Sequence, residues 1–155
     1  VVLNLDAGNV RAVYRFSPGP SGVEATEIAR VEAAGTIRAI DSFAPAMNND
    51  GLVTFRGRDA NGQAIYVGDG TTLRRVIGKD DLVATDLGIA GIGQHVDDPN
   101  GWPIFSGAPG INAHGDIAFI AGLYPQGNNQ VEWGSGVFVA YADGDVIFQD
   151  GFENP

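Results

Sequence analysis

Two stretches of this chain are close copies of each other: APAMNNDGLVTF at residues 44–55 and APGINAHGDIAF at residues 108–119. Ala-Pro opens both. Asn48 corresponds to Asn112, Gly51 to Gly115 and Phe55 to Phe119. Such a recurrence constrains the fold strongly, because each copy must form one supersecondary unit that buries its apolar face against a neighbouring unit. In each copy the Gly lets the backbone turn through positive φ, and the Asn can hydrogen-bond backbone groups two or three residues further on. Alternation follows, so Val53 and Phe55, like Ile117 and Phe119, make one face of a strand apolar. The motif is expected to be a fold element, with its asparagines as turn braces.

The correspondence runs further. AIYV (64–67) and GVFV (136–139) read as second strands, and LRRVI (73–77) and DVIF (145–148) as third strands. AVY (12–14) aligns with AIY (64–66), and EIARVEAAG (27–35) with LRRVIG (73–78). One domain is therefore expected, with a partial repeat at about 1–43, a repeat at about 44–107, another at about 108–149 and an acidic tail at 150–155. Strands are expected at 11–16, 36–40, 52–57, 63–67, 72–77, 116–123, 136–141 and 145–148, and a kinked one within 22–35. DANGQ (59–63) and ADGD (142–145) should be hairpin turns, with Asn61-Gly62 and Asp143-Gly144 supplying positive φ. The longer connections, about 79–107 and 124–136, are expected as loops. With 23 Gly and 8 Pro interrupting nearly every window, no helical period is sustained. The expected fold is all-β: tandem antiparallel sheet repeats, propeller-like or a β-sandwich, incomplete as a single closed propeller.

Composition narrows the partners. A chain of 155 residues can bury a core. Its net charge of −10 and its single lysine, Lys79, argue against nucleic acid and against an anionic membrane surface. It has no cysteine, so disulfides, thiolate metal sites and thiol nucleophiles are excluded. No apolar run is long enough to span a membrane as a helix. The chain opens at Val1 without Met, which reads as a mature product or a fragment.

INAHGDIAFIA (111–121) and MNNDGLVTFRG (47–57) resemble the NxGxxAFxA repeat of secreted bacterial tandem-repeat proteins. The first has one extra residue between Asn and Gly, and the second has Thr54 in place of Ala. GVFV and AIYVGDG are similar to that family's second strand and turn. DVIFQDGFENP (145–155) resembles the IFxDGFE tail of exported proteins of Gram-negative bacteria. The resemblance covers most of residues 10–149. It implies a propeller-like fold and a secreted or cell-surface location, and it carries no enzymatic activity onto any residue here. Members of that family are longer and hold more repeats.

Few residues suggest chemistry. His95 and His114 are the only histidines, and neither has metal-ligand spacing. The oxygen-rich turn DDPNG offers Asp97, Asp98 and Asn100 to calcium, the one cofactor considered. GSG (134–136) is not a nucleophile elbow, and GIAGIG (88–93) lacks the strand–helix setting of a phosphate loop. Trp102, Trp133 and Tyr124 stand beside Asp, Asn and Gln and could present flat faces to a glycan. The competing reading is that they plug the core or cover a sheet edge.

The expected function is a non-catalytic extracellular structural or assembly protein, not an enzyme. It would form a homo-oligomer or fibre through strand edges. The contacts would involve Val1, Val2, Leu3 and Leu5, in an N-terminal strand without an obvious hairpin partner, and Val146 and Phe148. The alternative is a carbohydrate- or calcium-dependent surface binding module. A hydrolase with an unrecognised acidic pair ranks third.

Overall fold

The computed structural model describes residues 2–7, 10–93, 104–142 and 146–148, with side chains over 11–93 and 104–142. Strands β1 (Val2–Ala7), β2 (Val10–Gly19) and β3 (Gly22–Arg30) form a first sheet in that order. The middle sheet has the order β4-β6-β7-β8, from β4 (Ala39–Ile40), β6 (Val53–Arg58), β7 (Gln63–Gly68) and β8 (Leu73–Gly78). A short β5 (Ala46–Met47) also pairs with β6. The third sheet has the order β14-β13-β12-β10-β9. Its strands are β9 (Leu82–Thr85), β10 (Gly88–Ile92), β12 (Ile117–Pro125), β13 (Gly134–Ala140) and β14 (Val146–Phe148), and β11 (Phe105–Ile111) adds to β12. Every pairing is antiparallel, and the described residues contain no helix. The protein is all-β. Strands β9 and β14 come near each other, but no ladder joins them, so the third sheet stays open.

The sheets correspond in detail. Phe55 lies opposite Tyr66, and Phe119 opposite Phe138. Both ring pairs stack, with centroids 5.6 Å and 5.3 Å apart. The β7–β8 ladder skips Val76, between the pairs Ile65–Ile77 and Tyr66–Arg75. The β2–β3 ladder skips Ile28 at the same point, between Val13–Ala29 and Tyr14–Glu27. These are β-bulges, and each sends an apolar side chain inward. Ile28 is buried, and Val76 packs against the larger core cluster.

Alternation along the middle strands decides where the core sits. Val53, Phe55, Ala64 and Tyr66 pack with Val13 and Ile28 of the first sheet. The intervening Ile65 and Val67, with Ile77, pack with Ile117, Phe119, Leu123 and Phe138 of the third. All of β7 is therefore buried. One apolar face was expected for these strands, but the middle sheet has two covered faces, because it is the inner layer of a stack.

Two polar residues of β6 are buried on the side of the third sheet, and both are satisfied. Thr54 Oγ1 donates to the Tyr66 carbonyl at 3.0 Å. Arg56, 2% exposed, donates from Nε and Nη2 to Asp41 Oδ2 and from Nη1 to the Gly107 carbonyl at 2.7 Å. Gly107 lies where the β11–β12 register shifts and has φ +68°. The small residues Ser106, Gly107, Ala108 and Gly110 let the β11 backbone come close to β6. The sheets are also latched at one shared strand position. Arg11 Nη1 donates to the Ile40 carbonyl at 2.7 Å, and Gln63 Oε1 accepts from the Ile104 N–H at 2.7 Å.

Several expectations need correction. The strand within 22–35 ends at Arg30, and the one at 36–40 shrinks to Ala39–Ile40. Between them the chain turns on itself, with Glu32 N–H donating to Ile37 O and Gly35 N–H to Glu32 O. The expected loop at 79–107 contains the hairpin β9–β10. Its glycines have a packing reason: a Cβ at Gly91 or Gly93 would run into the Tyr124 ring. The N-terminal strand does have a hairpin partner, since β1 pairs with β2 along its whole length. In the 59–62 turn only Gly62 has positive φ. Asn61 instead donates its N–H to Asp59 Oδ1. Of the turn expected at 142–145, residues 143–145 lie outside the described ones.

Candidate functional site

The repeated turns meet each other. In the first, Asn48 Oδ1 accepts the N–H groups of Asp50 and Leu52 at 3.1 and 3.0 Å. In the second, Asn112 Oδ1 accepts those of His114 and Asp116, each at 2.9 Å. Gly51 and Gly115 hold φ of +83° and +91°, and each donates its N–H to the carbonyl of its Asn. Asn48 is 6% exposed, and its Nδ2 donates to the Asn112 carbonyl at 3.2 Å. One asparagine thus braces its own turn and ties it to the corresponding turn of the next sheet. Asp116 takes hydrogen bonds from Asn112 Nδ2 and from the Ala142 N–H, which hold its carboxyl below the usual range. His114 is an exposed member of this turn; His95 lies outside the described residues.

The two asparagines should respond differently to truncation. Asn48→Ala removes the buried acceptor of two N–H groups in a part-buried turn and the link to Asn112, for a loss of about 2–3 kcal/mol. Asn112→Ala costs about 1 kcal/mol, because water replaces the lost acceptor at an exposed turn. Urea unfolding of the two variants checks this order, and equal losses would contradict it.

Two of the three aromatic candidates lie among the described residues. Tyr124 is 8% exposed, lies over Gly91 and Gly93, and donates its hydroxyl to Asp80 Oδ1 at 2.9 Å. The exposed platform expected of it is corrected to a packed residue. Trp133 is half-buried against the larger core cluster. Trp102 lies outside the described residues, as do Asp97, Asp98 and Asn100 of the calcium candidate. Among the described residues no three His, Asp or Glu side chains gather as a metal group.

Two tyrosines set an alkaline limit on the fold. Burial, then the charge of Asp59 and the hydrogen bond to it, raise the Tyr66 pKa far above its ordinary value. Burial and the hydrogen bond to Asp80 push Tyr124 up to about 12. A phenol whose folded pKa is raised adds stability that is complete below its unfolded pKa, near 10, and is lost as pH rises toward the folded one. Stability should therefore fall between about pH 10 and 12, with tyrosinate absorbance rising in step with unfolding. Complete tyrosinate formation with the far-ultraviolet signal intact would contradict this.

The self-association candidates lie on marginal strands. Val2, Leu3 and Leu5 belong to β1, and Val146 and Phe148 to β14; Val1 lies outside the described residues. Among the described residues β1 pairs only with β2, whereas its counterparts β6 and β12 are paired on both sides. Strand β14 has β9 of the same chain beside it.

The face of the third sheet turned away from the core is apolar as well. Ile120 and Val137 are direct cross-strand partners, 40% and 48% exposed, and Ala118 and Val139 pair next to them. In the middle sheet the corresponding residues are Arg56 and Ile65, 2% and 0% exposed beneath the third sheet. Sequence reasoning missed this face. The signal was present in IAFIA and GVFVA, which are apolar at every position and so mark strands apolar on both faces.

Fold and turns together define the class: an all-β protein of stacked antiparallel sheets. No protein-family model matches the chain, and no curated protein or solved structure matches it.

Proposed function

We propose that this chain is a non-catalytic structural repeat protein of the cell exterior, and that it self-associates by continuing its own stack of sheets. The observation that carries this reading is the pair Ile120–Val137, exposed where the corresponding residues of the middle sheet are buried under the next sheet. The occupant is the first sheet of a second copy. Its Tyr14 stands opposite β1 and beside the bulge as Tyr66 stands opposite β6, so it supplies the same kind of inward ring. Pairing along the edge of β1 that no described strand occupies adds hydrogen bonds to the apolar contact. The contact is heterologous, so it builds a filament unless rotation between copies closes a ring. The resemblance to exported repeat proteins supports the location.

Sedimentation of the purified chain over a range of concentrations tests this. The expected result is association that grows with concentration and is abolished by Val137→Glu with an unchanged far-ultraviolet spectrum. A folded monomer at about 100 μM, well above the Kd of a specific contact, would overturn the reading; this is also the outcome if further sheets of one longer polypeptide cover the face.

A further inference from the structure

A cavity of about 300 Å³ opens where the first sheet meets the β4 end of the middle sheet. Among the described residues, three guanidinium groups line it, those of Arg11, Arg56 and Arg58, together with the carboxylate of Asp41. The chain has nine basic residues and a net charge of −10. A third of its cations therefore gather around one open depression. Like charges held together raise the local potential toward an anion.

The groups there are not equivalent. Arg56 is committed to Asp41 and Gly107. Arg11 donates to the Ile40 carbonyl and, at 3.4 Å, to Ser42 Oγ. Arg58 is about half exposed, and its one charge contact is Nε to Asp41 Oδ1 at 3.8 Å, too long for a hydrogen bond. Its outer nitrogens remain for a ligand. Burial depresses the Arg56 pKa, the Asp41 charge and hydrogen bond oppose this, and the nearby Arg58 charge adds a smaller depression. Phe43 packs on the Arg56 guanidinium at 4.1 Å and keeps 41% of its surface exposed at the cavity.

We infer that this cavity binds a sugar acid. The carboxylate lies on the planar fork of Arg58 with the Ser42 hydroxyl beside it, and a C–H face of the ring lies on Phe43. A guanidinium fork matches a carboxylate in plane with two parallel hydrogen bonds. An aromatic face suits the apolar side of a pyranose. The cavity volume accommodates one such unit. This site is separate from the Ile120–Val137 face and does not depend on assembly.

Titration calorimetry at low salt with glucuronate, glucose and inorganic phosphate tests the inference on the full chain and on the Val137→Glu variant. Glucuronate should bind both proteins alike, and glucose and phosphate at least about tenfold more weakly, since each lacks one of the two recognised features. Arg58→Ala should weaken glucuronate about tenfold and Phe43→Ala several-fold. Amide shifts at Ser42 and Phe43 on adding glucuronate provide a readout in the unaltered chain should a variant fail to fold. Absence of glucuronate binding, equal binding of glucose or of phosphate, or full affinity in a folded Arg58→Ala protein would each overturn it. A full chain that binds glucuronate but stays monomeric would count against the stacking proposal alone.

Discussion

Arg56→Ala is expected to lower stability by about 3–5 kcal/mol, because it breaks a buried pair from one side. The guanidinium is 2% exposed and holds three groups in place: the Asp41 carboxylate, the Gly107 carbonyl and the Phe43 ring. Removing it takes two hydrogen bonds and the nearest charge from Asp41, only 14% exposed, with Arg58 Nε farther off at 3.8 Å, and leaves Gly107 without this donor. The weakened compensation of the Asp41 carboxylate is the larger part of that cost, and the lost volume is the smaller. The two parts separate in a double variant. Arg56→Met with Asp41→Ala removes both charges while keeping most of the volume, and it should recover about half of the loss. Urea unfolding of single and double variants measures this. A double variant as unstable as Arg56→Ala would show that packing, and not charge, governs the position. A deficit of this size is a large share of the roughly 5–15 kcal/mol available to a domain.

Phe138→Ala is expected to cost about 3–5 kcal/mol, while Val137→Ala next to it costs less than about 1 kcal/mol. Phe138 is fully buried, lies on Phe119 at 5.3 Å between centroids, and through it reaches Phe105 edge-on at 5.9 Å from Phe119. Truncation removes one ring of a three-ring cluster and leaves a cavity that the sheet backbones cannot close. Phe138→Leu keeps much of the volume and should lose roughly 1–2 kcal/mol. Val137, one residue away, points to the opposite face and is 48% exposed. Thermal unfolding of the three variants tests the contrast at low concentration, where association through the outer face does not contribute. Comparable losses at 137 and 138 would mean that the outer face is already covered within one chain.

Much of this fold was legible locally. The Asn–Gly turns could be read because Asn side chains and positive-φ glycines act over four or five residues, and the structure shows the same bonds at Asn48 and Asn112. Strands such as β7 and β12 could be read because β-branched and aromatic residues in short runs leave few other choices. The hairpin β9–β10 could not, because GIAGIG has poor strand propensity on its own. It becomes a strand because its glycines fit under the Tyr124 ring, which belongs to a distant segment. Tyr124 was misread for the same reason: a Tyr beside polar residues has the same letters whether it is exposed or buried.

Candidate sites divide along the same line. The arginine cavity draws Arg11 from β2, Ser42 and Phe43 from the segment after β4, and Arg58 from the end of β6. Nothing in their spacing announces it, since sheet stacking alone brings them together. The sequence by itself determined the all-β class, the repeated turns and the alternation, because backbone preference and side-chain period are properties of neighbouring residues. Only the tertiary structure decided which apolar faces are covered and which guanidiniums share a cavity. Those outcomes depend on the layer order of the sheets, in which β7 is buried on both sides and the outer face of β12 and β13 is left open.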